Sequence, residues 1–103
     1  MVSYPRIPGH EIAGEIVETA PKVPADFEVS SSVTVLPYTA CGKCSACQTG
    51  RVNCCRYNQT MGVQRDGAAT EYIAVPYQKV IAALGLSYDQ IACIEPLSVG
   101  WHA

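Results

Sequence analysis

Five cysteines fall between residues 41 and 55: Cys41, Cys44, Cys47, Cys54 and Cys55. Three of them recur at every third position. Thiolates this dense suit a tetrahedral dication, and zinc takes four sulfur ligands at about 2.3 Å in structural sites. A set of four leaves no open position for substrate, so the expected role is structural. Cys41, Cys44, Cys47 and one of Cys54 or Cys55 form the expected ligand set. Gly42 and Gly50 permit tight turns between them, and Lys43 and Arg51 would offset the charge of four thiolates on one dication.

Two other chemistries use clustered cysteines. A disulfide framework belongs to secreted domains, and Met1 to Arg6 shows no apolar signal segment. Cysteines three apart also pair with strain. An iron–sulfur run of the bacterial type needs a further Cys four positions after the third, followed by Pro. Arg51 and Val52 stand there instead. Zinc is the expected occupant.

A second constellation is sparser. His10 and Glu11 adjoin after Gly9, and on a strand they would face opposite ways. A neutral imidazole is a good zinc ligand, and a nearby carboxylate can ligate or orient it. The bland reading is a surface or structural histidine. Glu95 lies between Ile94 and Pro96, in apolar company where a carboxylate needs a partner. Its bland reading is an acid in the first turn of a helix.

These groups need elements to carry them. At 103 residues, with 49% apolar and 16% charged residues, the chain can build one small core that a metal would help to hold. The net charge is −2 and the seven Lys and Arg are scattered, which excludes a nucleic-acid face. No apolar run reaches membrane-spanning length, so neither a nucleic acid nor a membrane is an expected partner. Free thiols for a metal imply a reducing, cytoplasmic setting.

Ile12 to Glu18 reads as a strand, with Gly14 inside it marking a bulge or a close backbone approach. Thr19 to Ser32 is a connection ending in a turn at Ser30-Ser31-Ser32. Val33 to Leu36 is a short strand. The cysteine lobe covers residues 38–57, with a short helix around Ser45 to Thr49 closed by Gly50. Met61 to Gly67 reads as loop, Thr70 to Val75 as a strand ended by Pro76, and Lys79 to Ala82 as another. Ser87 and Gln90 form a capping box that starts a helix with Ile91, Ala92 and Ile94 on its apolar face. Pro96 interrupts that helix or restarts a second one. Cys93 is expected in the core, and Trp101 and His102 as packing residues. The chain stops inside a helical pattern, which reads as a truncation.

Taken in order, these pieces resemble the zinc-dependent medium-chain dehydrogenase/reductase superfamily, and within it the polyol and sugar-acid, sorbitol-dehydrogenase-like branch. Pro8-Gly9-His10-Glu11 with Gly14 resembles its Gly-His-Glu signature. Cys41, Cys44, Cys47, Gly50, Asn53 and Cys55 resemble its structural-zinc lobe, whose last ligand lies eight positions after the third. Gly62, Asp66-Gly67 and Glu71-Tyr72 resemble the segment returning to the core. Glu95 to Gly100 resembles the polyol-branch segment whose Glu stands near the catalytic zinc.

The resemblance implies a mainly β, GroES-like partial barrel with short helices and a zinc-binding loop lobe. It selects Cys55 as the fourth structural ligand and leaves Cys54 spare. It implies a catalytic zinc held by His10, with Glu11 and Glu95 as direct or water-mediated ligands, acting as a Lewis acid on an alcohol oxygen. Ser98 and Val99 would lie toward a nicotinamide. The whole enzyme would be a homo-oligomer moving hydride between a secondary alcohol, polyol or sugar acid and NAD or NADP.

Some positions depart from the family pattern. The family takes a catalytic Cys upstream of Gly-His-Glu, and none of the nine residues before His10 is Cys. No Gly-x-Gly-x-x-Gly dinucleotide fingerprint is present. Ser30-Ser31-Ser32 replaces the usual Gly-Asp-Arg, and Ala68-Ala69 the usual Gly-Phe. The expected object is therefore an incomplete catalytic domain, without its upstream strands or its Rossmann cofactor domain, that binds zinc and is inactive alone. A zinc-binding interaction module is the alternative of a different class.

Overall fold

The computed structural model describes residues 2–103. The chain forms two compact units. One holds the residues up to His10 together with Pro37–Tyr72, and the other holds Glu11–Leu36 and Ile73–Ala103.

The second unit is built on a three-stranded antiparallel sheet, β1 (Gly14–Glu15), β2 (Ser32–Val35) and β3 (Val80–Ala82), in that order. Gly14 faces Val33, and Val33, Thr34 and Val35 face Ala82, Ile81 and Val80. The central strand has both neighbours, so Val33, Thr34 and Val35 are all buried. A buried hydroxyl needs a partner, and Thr34 Oγ1 donates to the Ile12 carbonyl at 2.7 Å.

Helix α2 (Tyr88–Ala92) packs over β2 and buries Ile91 completely. Its start is the expected capping box. Ser87 Oγ accepts from Gln90 N at 3.3 Å, and Gln90 Oε1 accepts from Ser87 N at 2.9 Å. Helix α3 (Ile94–His102) follows at once. Pro96 is its third residue, within the first turn, where no intrahelical N–H is needed. The proline therefore restarts the helix rather than breaking it, and Glu95 sits in the first turn.

Several expectations are corrected here. The strand expected over Ile12 to Glu18 pairs only at Gly14–Glu15. No close approach requires the glycine at position 14, since a Cβ there would meet nothing within 4 Å. Thr70 to Val75 is not a strand. Its propensity meets no partner strand among the described residues, and the chain turns locally instead: Thr70 N donates to Ala68 O at 2.7 Å and Thr70 Oγ1 to Tyr72 O at 2.9 Å. Cys93 is exposed, because it lies at the junction of α2 and α3 and faces away from the side that buries Ile91. Trp101 is 94% exposed and His102 is exposed, so neither packs in a core.

The first unit has little regular structure and is fastened by backbone hydrogen bonds. Thr39 O accepts from Gln59 N at 2.9 Å and Pro37 O from Met61 N at 3.1 Å, which ties the two ends of the cysteine lobe together. Met61, Thr60 and Pro37 are buried beside that tie. Gly67, Ala68 and Ala69 donate their amides to the carbonyls of Ile7, Gly9 and Pro8 at 2.8, 2.9 and 3.0 Å. Among the described residues no helix is long and apolar enough to cross a membrane.

Candidate metal centre

Cys44 and Cys47 are carried by helix α1 (Ser45–Gln48), Cys44 at its N-cap and Cys47 within it. One turn of helix is what makes a three-residue spacing point two sulfurs the same way. The helix ends as expected at Gly50, whose φ of +78° is the left-handed conformation glycine adopts without strain. Gly50 N bonds Cys47 O at 3.1 Å and Arg51 N bonds Ala46 O at 2.8 Å, the paired bonds of a Schellman cap. A 3-10 turn at Val52–Cys54 then delivers Cys55.

The sulfurs of Cys41, Cys44, Cys47 and Cys55 all lie within 4.8 Å of one another. Cys44 Sγ is 3.5 Å from Cys47 Sγ and 4.0 Å from Cys55 Sγ. A tetrahedron with zinc–sulfur bonds of about 2.3 Å has edges of about 3.8 Å. The two measured edges straddle that value. All six cysteines are free, and the sulfurs are too far apart to be bonded, against about 2.05 Å for a disulfide. The spread leaves room for one ion rather than a multi-iron cluster.

Backbone amides solvate these sulfurs. Lys43 N and Cys44 N each donate to Cys41 Sγ at 3.4 Å. Cys55 Sγ accepts from Cys41 N at 3.3 Å and from Tyr57 N at 3.4 Å. Such donors favour the thiolate. The amides of Cys47 and Arg56 lower the Cys44 pKa to about 6, and those of Lys43 and Cys44 lower that of Cys41. Cys47 moves the other way, raised to about 12 by desolvation and by the neighbouring Cys44 sulfur. The donor set is thus chemically uneven without a cation, with one sulfur ready to ionise and another holding its proton. A dication at the centre removes that conflict.

Cys55 is buried while Cys54 is exposed, so Cys54 stays outside the group. Cys54 instead lines a shallow cleft with Lys43, Cys44 and Arg56. Among the described residues the four-cysteine set is the one convergent group of three or more His, Cys, Asp or Glu side chains. His10, Glu11 and Glu95 are not part of such a group. His10 is half-buried in the first unit; Glu11 is exposed and Glu95 half-buried in the second. Ser98 and Val99 are exposed on α3, where Ser98 Oγ donates to Glu95 O at 2.7 Å.

Sequence reasoning missed the contacts that hold the backbone leading to His10. A Cβ on Gly67 would overlap the carbonyl oxygens of Pro8 and Gly9, and one on Gly62 would come within 2.7 Å of Gly9 N. Asp66 Oδ1 accepts from Arg6 Nη1 at 3.2 Å and Ile7 N at 3.3 Å. Asp66-Gly67 gave a turn signal; what it turns against lies about sixty positions away.

Comparison with known proteins agrees with this geometry. The alcohol dehydrogenase GroES-like domain matches residues 1–84. The chain is 44% identical over 101 residues to an L-galactonate-5-dehydrogenase of Escherichia coli, covering 98% of this chain and 29% of that protein. It is 42% identical over 105 residues to a sorbitol dehydrogenase of Bacillus subtilis, covering 100% of this chain and 30% of that one. Among solved structures, galactitol-1-phosphate dehydrogenase from Escherichia coli superposes with a TM-score of 0.84 at 33% identity, over 97% of this chain and 29% of that chain. An Escherichia coli alcohol dehydrogenase complexed with NADH superposes at 0.82 and 31% identity, over 96% and 29%. The chain therefore spans about 30% of the length of the relatives it matches. The domain match over residues 1–84, the 44% and 42% identities over nearly the whole chain and the four-sulfur group together place the chain in the alcohol dehydrogenase GroES-like domain family.

Proposed function

We propose that this chain is the zinc-lobe segment of an NAD(P)-dependent dehydrogenase acting on a secondary alcohol, polyol or sugar acid. Residues 38–57 would hold a structural zinc through Cys41, Cys44, Cys47 and Cys55. The observation that carries the reading is the sulfur group, with all four atoms within 4.8 Å. The relatives' names, L-galactonate, sorbitol and L-threonine dehydrogenases, support the substrate class.

The second zinc in this reading is catalytic, and when bound it supplies a Lewis acid for an alcohol oxygen. His10 would ligate it through an imidazole nitrogen. Glu11 and Glu95 would be its ligands directly or through water. Ser98 and Val99 would lie toward the nicotinamide. The working protein is a cytoplasmic homo-oligomer that takes small alcohols, with no nucleic acid or membrane partner.

Elemental analysis of carefully reduced protein tests the first part: about one zinc per chain is expected from a four-thiolate site, and none would refute it. The second part is tested by the 103-residue chain beside a version extended to the relatives' length. Sorbitol, L-galactonate and L-threonine are offered with NAD and NADP. The extended protein should reduce one nicotinamide and the short chain neither. Turnover by the short chain alone would contradict the segment reading.

A further inference from the structure

Residues 6–9 form no helix and no strand, yet they lead directly into His10. The Ile7 amide and the carbonyls of residues 7–9 are taken up by one distant segment. Ile7 N donates to Asp66 Oδ1, and the carbonyls of Ile7, Pro8 and Gly9 accept from Gly67, Ala69 and Ala68. Pro8 has no N–H to place. The approach is close enough to exclude any side chain at Gly67, since a Cβ would strike two of those carbonyl oxygens. Gly67 is buried. Gly62 closes the other side, with its Cβ position 2.7 Å from Gly9 N.

We propose that Gly67, with Asp66 beside it, is a positioning residue for His10. Its contacts fix the backbone immediately before the imidazole, and the Gly9 φ of +97° sets the direction in which His10 leaves the clamp. The Arg6–Asp66 ion pair by itself is worth little, since the Asp66 side chain is 62% exposed. What matters is that the same carboxylate oxygen accepts the Ile7 amide. The inference rests on the reading of His10 as a functional residue, and on nothing about which metal or substrate it meets.

The test uses the zinc-loaded 103-residue chain, which has only two histidines, so its imidazole NMR spectrum is simple and His102→Gln assigns it. Asp66→Ala should shift the His10 ring signals and speed hydrogen exchange at Gly67, Ala68 and Ala69 by about tenfold, with one zinc per chain retained. Asp66→Asn should restore both, because its Oδ1 still accepts from Ile7 N–H. Gly67→Ala should give the larger ring shift. If it fails to retain zinc, Asp66→Ala decides. An unmoved His10 ring in Asp66→Ala, or a shift that Asp66→Asn fails to reverse, would overturn the proposal. Adding cobalt(II) beyond one equivalent separates the underlying reading: absence of paramagnetic broadening at His10 counts against ligation, while the ring shifts still judge the clamp.

Discussion

The sulfurs of Cys44 and Cys47 stand 3.5 Å apart with opposite proton affinities, Cys44 lowered to about 6 and Cys47 raised to about 12. Metal must therefore compete with a proton at one sulfur and not at the other. Above pH 7, Cys44 is already ionised and Cys47 still gives up a proton when a cation arrives. Zinc affinity should then rise with pH, about tenfold per unit for each proton displaced. Below pH 6, Cys44 is protonated too, and the dependence steepens. Competition with a chromophoric chelator at pH 6, 7 and 8 reads this out. An affinity flat across that range would contradict the sulfur site.

The two adjacent cysteines should behave differently. Cys55 is buried and accepts two backbone amides, from Cys41 and Tyr57, whereas Cys54 is exposed. Cys55→Ser replaces a thiolate with a poorer zinc ligand. It should cut zinc affinity by at least about a hundredfold, since one of four charged donors is lost. Cys54→Ser should leave it unchanged. Isothermal titration of both variants checks the contrast, and equal losses would mean the assignment is wrong.

What the sequence revealed was what lay close along the chain. The zinc lobe, the Ser87–Gln90 box and the Gly50 helix end each close within about fifteen residues, so residue type and spacing define them. The Thr70 to Val75 strand failed because strand propensity needs a partner, and none faces it among the described residues. Trp101 and Cys93 were misplaced because a helical pattern does not say whether anything covers it. The Gly67 clamp on Pro8 and Gly9 was invisible for the same reason. A glycine that signals a turn looks the same as one that admits a distant backbone.

Ile91 is the side chain most committed to the second unit's core, with no exposure at all. It is carried by α2 onto β2, so truncation removes its packing there and leaves a cavity. Ile91→Ala should cost about 2–5 kcal/mol. Cys93→Ser, two positions on and exposed, should fall within about 0.5 kcal/mol of wild type. Urea denaturation midpoints of the zinc-loaded protein provide the measurement. A Cys93→Ser loss as large as that of Ile91→Ala would mean that α2 buries a different face.

Ser30 is the one non-glycine residue with positive φ among the described residues, at +70°. It stands where the family pattern has glycine. Its conformation is held by Ser30 N donating to Ile16 O at 2.8 Å, while Ile16 N donates to Ser31 O at 3.1 Å, just beyond the β1–β2 pairing. A side chain there costs about 1–2 kcal/mol of left-handed strain, and glycine gives back about 0.5–1 kcal/mol through a looser unfolded chain. Ser30→Gly should therefore stabilise the protein by about 0.5–1 kcal/mol, the difference of those two effects. Ser30→Ala keeps a Cβ and should give no gain. Denaturant midpoints of the two variants, measured beside wild type, separate backbone strain from loss of the hydroxyl. Equal stabilisation by alanine and glycine would show that the hydroxyl, and not the positive φ, is the destabilising feature.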